Sequence, residues 1–219
     1  MRKLPLIAVC ALLSATAAQS VELPKLVQDT QRVSQVGNQM TMVFWMPTAF
    51  WETSLANNPG MTADARAQVL GALEDYSVFA VVHAKTGLGG IAEASSKADM
   101  LQNSRLEIGG KVVEPVAPEA IKPGAQTLLA ALKPSFAGML GGFGQSMELL
   151  VYPNRQDGKP LLDEHKAGAF RYTLYDQAFN WRLPLPSLLP LRVDPKTNEE
   201  FPGNYDFNPY TGGKLQTRK

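Results

Sequence analysis

The feature that most constrains the fold of this chain is a nearly continuous apolar run from Tyr76 to Ala84. Only Ser77 and His83 interrupt it, so the polar alternation of a strand with one solvated face is missing. Runs of this kind are typical of strands buried on both faces. A second run, residues 39–46, is dense in Met, Val and aromatic side chains and is also suited to a buried strand. The sequence therefore predicts a sheet with a buried centre.

Three helices are predicted before and between these strands. Apolar residues recur at helical spacing from Leu23 to Val36, which predicts a short amphipathic helix. Pro47 is expected to open a second helix, because proline is tolerated in a first turn. Thr62 is expected to cap a third helix that runs to about Asp75.

The second half of the chain shows further strand and turn signals. Gly109 and Gly110 separate two β-prone runs, which predicts a hairpin with a primed turn. A helix is expected from residue 125 to residue 132, ended near Pro134. Two more strands are predicted at residues 146–152 and 169–175.

The predicted fold class is α+β. Strands and helices alternate without regular βαβ units, which favours a single globular domain with a mainly antiparallel sheet flanked by short helices. This domain is expected over residues 21–190. Prolines alternate with leucines from residue 181 to residue 190, which predicts an extended tether. An extended, proline-rich C-terminal tail with two Asx-Pro turns is expected over residues 191–219.

The first twenty residues have the layout of a secretory signal peptide. Arg2 and Lys3 precede an apolar run of residues 4–13, and small and polar residues follow. The apolar run is about half the length needed to cross a bilayer, so a cleaved leader is expected rather than a transmembrane anchor. Cleavage is expected between Ala17 and Val21. The predicted location is therefore periplasmic or extracellular.

Cleavage would also change the chemistry of the chain. Cys10 is the only cysteine, so the mature chain would have no disulfide, no thiolate-bound metal and no cysteine nucleophile. Lipidation of Cys10 is disfavoured because bulky Val9 precedes it. Without Arg2 and Lys3, acidic side chains exceed basic ones by one, so a nucleic-acid partner is not expected. The sequence points to no cofactor.

The C-terminal segment contains an internal repeat. Residues 194–198 and 208–212 each have an Asx, a Pro, any residue, a Thr and a turn-permissive residue. The spacing of 14 resembles the two knuckles of a small zinc ribbon. The cysteine positions of that family are held by other residues: Asp194, Thr197, Asn208 and Thr211. Because four thiolates hold such a site together, no zinc is expected here.

Two other interpretations of the repeat remain open. Asx-Pro turns recur because Asx side chains accept backbone hydrogen bonds and Pro presets the next dihedral angle, and this interpretation is favoured. Calcium is the alternative, because the segment is rich in oxygen donors, namely Asp194, Asn198, Glu199, Glu200, Asp206 and Asn208. Their spacing is not that of a calcium loop, so no metal ligand is assigned.

The two histidines give the candidate catalytic residues. His165 follows Asp163 and Glu164, and a hydrolase would use His165 as the base and one of these acids to orient it. Ser146 or Ser135 would be the nucleophile, although Ser146 lacks the glycine pattern of a nucleophile elbow. The other histidine, His83, is expected to be a hydrogen-bonded imidazole in the central strand.

Aromatic side chains give the candidate ligand-binding residues. Phe50 and Trp51 belong to an aromatic group around Pro47, and Trp181 with Arg182 begins the tether. Such residues line apolar grooves or sugar-stacking platforms, although core packing is the favoured interpretation. No catalytic or metal-binding pattern is complete. The sequence therefore predicts an exported, non-enzymatic binding or interaction protein whose partner is an envelope protein, a glycan or a small apolar ligand, with the His165 hydrolase as the alternative.

Overall fold

The computed structural model describes residues 21–218, apart from the side chain of Met139. The helices are α1 (Leu23–Thr30), α2 (Thr48–Ala56), α3 (Ala63–Leu73), α4 (Lys97–Asn103) and α5 (Pro123–Met139). Short 3-10 helices lie at Pro118–Ala120, Gly141–Ser146 and Pro186–Leu188. The strands are β1 (Gln31–Val36), β2 (Gln39–Met46), β3 (Tyr76–Gly87), β4 (Gly90–Ala94), β5 (Ser104–Ile108), β6 (Lys111–Val113), β7 (Glu148–Pro153), β8 (Arg155–Gln156), β9 (Lys159–Pro160), β10 (Gly168–Leu174), β11 (Gln177–Leu183), β12 (Arg192–Val193), β13 (Glu200–Phe201) and β14 (Gln216–Thr217).

The strands form two main antiparallel sheets. In the first, β3 is central: β2 pairs along one edge, β7 and β4 share the other, and β1 lies outside β2. The second sheet has the order β11, β10, β5, β6. A three-stranded sheet of β13, β12 and β14 and the short pair of β8 and β9 complete the set. The observed fold is α+β, and the predicted position of β3 at the centre of a sheet is confirmed.

The core has three layers. The second sheet packs on one face of the first, where Phe79 of β3 stacks on Tyr172 of β10 with ring centroids 4.9 Å apart. Helices cover the opposite face, where Phe44 of β2 meets Phe50 of α2 edge to face at 5.0 Å. Phe136 of α5 lies 6.1 Å from the Phe50 ring. The central sheet is therefore buried on both faces, which explains its continuous apolar runs.

Local signals predicted several elements correctly. The Thr62 side chain accepts a hydrogen bond from the Ala65 amide, so the expected cap of α3 is present. Gly109 and Gly110 have φ angles of 56° and 78° between β5 and β6, as a primed turn requires. These features depend on one or two residues and their immediate neighbours, which is why sequence reasoning found them.

The helix predicted from Leu23 to Val36 is too long. It ends at Thr30, and residues 31–36 form strand β1. Thr30 accepts a hydrogen bond from the Trp181 indole on its carbonyl, and its hydroxyl donates to the Leu26 carbonyl at 2.8 Å. Pairing of β1 with β2 then overrides the helical spacing, because the ladder satisfies its backbone groups.

Two predictions about prolines also fail. Helix α5 continues through Pro134 to Met139 instead of ending near it. Packing of Phe136 on α2 continues the apolar contacts of this helix beyond the proline. The segment from Trp181 to Leu183 belongs to β11 rather than to a tether, and β12, β13 and β14 form a small sheet within the predicted tail.

No helix within residues 21–218 has the length and apolar character needed to span a bilayer. The predicted signal peptide, residues 1–20, lies outside the described residues.

Candidate functional site

The predicted catalytic residues are not brought together. His165 borders a cavity of about 410 Å³ that also includes Asn154, the residue after β7. Ser146 lies just before the opposite end of β7, and Ser135 lies on α5. Within residues 21–218, no hydrogen bond joins the His165 ring to a serine hydroxyl. Because Ser146 and the cavity beside His165 lie at opposite ends of β7, the length of this strand separates the proposed base from Ser146.

The acids beside His165 have structural contacts of their own. Asp163 forms an ion pair with Lys166 at 2.6 Å and accepts a hydrogen bond from the His165 amide at 3.1 Å. The Lys166 hydrogen bond lowers the pKa of Asp163. Glu164 is 5% exposed, and its Oε1 accepts the Ala49 amide at 2.7 Å in the first turn of α2. Glu164 therefore caps α2.

The predicted ligand-binding aromatics lie in the core. Phe50 and Trp51 are buried on the helical side of the main sheet, and the Trp51 indole donates to the Met46 carbonyl at 3.1 Å. Trp181 is buried on β11, and its indole donates to the Thr30 carbonyl at 3.2 Å. These three rings lie in two different layers, so they do not form one ligand cavity. Arg182, the fourth residue of the predicted set, follows Trp181 on β11 and is exposed.

The two Asx-Pro turns have matching hydrogen bonds. In each turn the Asx side chain accepts the amide two residues later, from Lys196 to Asp194 and from Tyr210 to Asn208, both at 2.8 Å. The carbonyls of Asp194 and Asn208 each accept the amide four residues later, at 2.9 and 2.8 Å. The fifth residue has a positive φ in both, 60° at Asn198 and 70° at Gly212. The internal repeat is therefore a repeat of backbone geometry.

The two turns are joined to each other by their first residues. Asn208 Nδ2 donates to Asp194 Oδ2 at 2.7 Å, and both side chains are buried. This hydrogen bond, with that of the Lys196 amide, lowers the pKa of Asp194. Within residues 21–218, no three His, Cys, Asp or Glu side chains are grouped closely enough to hold a metal ion. We call residues 191–218 the C-terminal module and the Asp194–Asn208 contact its clasp.

The C-terminal module exposes an unusual share of aromatic side chains. Within the described residues, four aromatic side chains are counted as exposed, and three of them are in this module: Tyr205 at 39%, Phe207 at 59% and Tyr210 at 82%. The fourth is Tyr175 at 36%. The Tyr210 ring lies 6.4 Å from the ring of buried Phe201, which ties this part of the loop to the sheet of the module. We call Tyr205, Phe207 and Tyr210 the exposed aromatic group.

The module has no dominant charge. It contains four basic and four acidic side chains. Arg218 forms an ion pair with Glu200 at 2.5 Å, and Arg192 lies 3.8 Å from Asp206. Sequence reasoning did not select the exposed aromatic group, because aromatic residues are usually buried and the sequence does not give exposure. The available signal was three aromatics within six residues that also contain two Asx residues and a Pro.

His83 lies in a second polar region of the fold. As expected for a strand imidazole, it is buried and hydrogen-bonded: its Nδ1 lies 2.8 Å from the Thr41 hydroxyl. The Tyr175 ring stacks on it with centroids 4.5 Å apart. A cavity of about 210 Å³ adjoins these two rings. His83 is remote in sequence from all of the predicted site residues.

Comparison with protein-family models, with curated proteins and with solved structures gave no match for this chain.

Proposed function

We propose that this chain is an exported, non-enzymatic binding protein whose C-terminal module engages a neutral glycan. The observation that carries the proposal is the concentration of exposed aromatic side chains at Tyr205, Phe207 and Tyr210. Exposing apolar rings to water costs free energy, so a group of them supports a surface that is covered by a partner. The leader-like residues 1–20 support an envelope or extracellular partner.

The balanced charge of the module supports a neutral partner. A polyanion would be attracted by a basic surface, and this module offers no excess of basic side chains. Tyrosine suits sugar recognition because its ring face is apolar while its hydroxyl forms hydrogen bonds. The clasp supports the same interpretation, since a loop that is already ordered loses less entropy on binding.

Binding can be tested by affinity electrophoresis of the purified exported protein through gels that contain a neutral polysaccharide. Sedimentation with purified cell-wall glycan provides a second assay. We expect retardation or co-sedimentation that falls at least tenfold when Tyr205→Ala, Phe207→Ala and Tyr210→Ala are combined. Leu88→Ala is the matched control, because Leu88 is fully exposed outside the module.

The proposal fails if no glycan retards the wild-type protein, or if the triple variant binds as well as wild type. Circular dichroism of the triple variant should match wild type, since all three side chains are exposed. Export has its own test: N-terminal sequencing of the protein from the periplasm or medium should give a start between Ala18 and Val21. An intact leader would overturn that part of the proposal.

A further inference from the structure

Three polar side chains form a row across the main sheet, away from the C-terminal module. Thr41 of β2 is directly opposite His83 of β3, and the Ser95 amide, just after β4, donates to the His83 carbonyl at 2.9 Å. Residues opposite each other on paired strands project from the same face. Further along that face the side chains are apolar, beginning with the pair Val43 and Val81. We call Thr41, His83 and Ser95 the polar row.

The Thr41 hydroxyl fixes where the His83 proton lies. Thr41 is 0% exposed, and among residues 21–218 its hydroxyl has one hydrogen-bond partner, His83 Nδ1. A buried hydroxyl proton needs an acceptor, and here Nδ1 is the acceptor within reach. Nδ1 accepts only when it carries no proton. Neutral His83 therefore carries its proton on Nε2.

Among residues 21–218, the Nε2–H donor has no partner. Within the described residues no hydrogen bond reaches His83 Nε2, and His83 lines the cavity of about 210 Å³ together with Gln39, Ala84, Lys85, Glu93, Ser95 and Tyr175. Burial lowers the pKa of His83, against the opposing effect of Asp176. The ring is therefore a neutral donor at neutral pH.

Two backbone irregularities shape the rim of this cavity. The pairing of β3 with β4 shifts register between Lys85 and Thr86, as at a β-bulge. Tyr175 has a φ of 52° in the two-residue turn between β10 and β11, a region that bulky residues rarely adopt. The Asn103 carbonyl accepts the Tyr175 amide at 2.9 Å, and the Tyr175 hydroxyl donates to Ser95 Oγ at 3.2 Å. These contacts hold the Tyr175 ring over His83.

The groups around the cavity disfavour an ionic ligand. Lys85 and Glu93 are paired with each other at 2.7 Å, so they contribute little net charge. Asp176 adds a negative charge near His83, which repels an anion. A cation gains nothing from the Nε2–H donor, because it has no lone pair to accept the hydrogen bond. An uncharged acceptor fits both conditions.

We propose that this cavity binds a small uncharged ligand through a carbonyl oxygen that accepts the hydrogen bond from His83 Nε2. An amide is the chemical class that fits best, since its oxygen is a strong neutral acceptor and its N–H can donate to Ser95 Oγ or the Tyr175 hydroxyl oxygen. The volume of the cavity suits an amide-sized group rather than a large ligand. This site is independent of the exposed aromatic group.

The experiment uses the two-histidine composition of the chain. In the His165→Asn variant, His83 is the sole histidine, so its ring nitrogens are observed directly by ¹⁵N NMR. The ring should be neutral and protonated on Nε2 at pH 7. N-methylacetamide, the probe, should shift the Nε2 signal saturably with half-saturation in the millimolar range, while acetate and methylammonium at equal concentrations shift it at least fivefold less.

A variant separates the role of Thr41 from general packing. Thr41→Val keeps the side-chain shape and removes the hydroxyl donor, so the tautomers should mix and the amide affinity should fall at least threefold. If that variant does not fold, the NMR measurement on His165→Asn tests the proposal by itself. A ring protonated on Nδ1, no saturable shift with the amide, or equal shifts with acetate would each overturn the proposal.

Discussion

Asn208 Nδ2 donates a hydrogen bond to Asp194 Oδ2 at 2.7 Å and thereby joins two turns that are 14 residues apart. In a zinc ribbon, residues at such positions meet at a metal ion. Here a carboxylate and an amide meet directly, and each side chain also orders its own turn. The amides of Lys196 and Tyr210 donate to them. One buried hydrogen bond therefore links the two halves of the C-terminal module.

Asn208→Ala should destabilise the module. The substitution removes the clasp and the bonds from the Tyr210 and Thr211 amides to Asn208 Oδ1, which leaves buried polar groups without partners. We expect a loss of about 1–3 kcal/mol in the free energy of opening, measured by hydrogen exchange of the Asn198 and Gly212 amides. Asn204→Ala is the matched control, because Asn204 is exposed in the same module. In this variant the two amides should exchange as they do in the wild type. Equal protection in both variants would show that the clasp is unimportant.

The module should open in acid. The Asn208 hydrogen bond and the Lys196 amide lower the pKa of Asp194 below its unfolded value of about 3.9. The stabilisation is therefore present above the unfolded-state pKa and is lost as pH falls through the lower folded-state pKa. Exchange at Gly212 should accelerate below about pH 4, after correction for the intrinsic rate. In Asp194→Asn this acid acceleration should be absent, and its persistence would assign it to another carboxylate.

Glu164→Ala should destabilise the protein by about 1–2 kcal/mol, because the buried carboxylate caps α2 through the Ala49 amide. Glu164→Gln should keep most of the stability, since an amide oxygen also accepts this bond. Urea unfolding followed by tryptophan fluorescence gives the free energies. Glu52→Ala, at an exposed position of the same helix, is the control. A Glu164→Ala midpoint equal to that of the control would contradict the capping role.

Stability should decrease in mild acid because of His83. Burial lowers its folded-state pKa below the unfolded value of about 6.5, so the unfolded chain takes up the proton first as pH falls. The stabilisation is fully present above the unfolded-state pKa. It is lost as pH falls from the unfolded-state pKa towards the lower folded-state pKa. Thermal midpoints between pH 8 and pH 5 measure this loss. It should persist in His165→Asn and diminish in His83→Gln; the reverse pattern would assign it to His165.

The elements that sequence reasoning predicted correctly have local causes. A threonine cap at Thr62, two glycines at Gly109 and Gly110, and a long apolar run in β3 each determine structure without distant partners. The repeat at Asp194 and Asn208 was also visible, because each turn is built by its own Asx side chain.

Elements that depend on distant contacts were predicted incorrectly. Gln31–Val36 has helical spacing yet pairs with β2 as a strand. Helix α5 passes through Pro134, whose neighbours pack against α2 beyond the position where local preference would end the helix. In both places tertiary contacts outweigh a local preference of about 1–3 kcal/mol.

The sequence by itself determined the buried centre of the main sheet, the α+β class, the two matching turns and the lack of cysteine after residue 10. Only the tertiary structure decided which polar side chains meet: Thr41 with His83, Asp194 with Asn208, and Glu164 with the start of α2. It also decided that Trp51 and Trp181 are buried while Tyr210 is exposed. The physical reason is that strand register and layer packing set side-chain neighbours and exposure, and both depend on contacts between residues far apart in the chain.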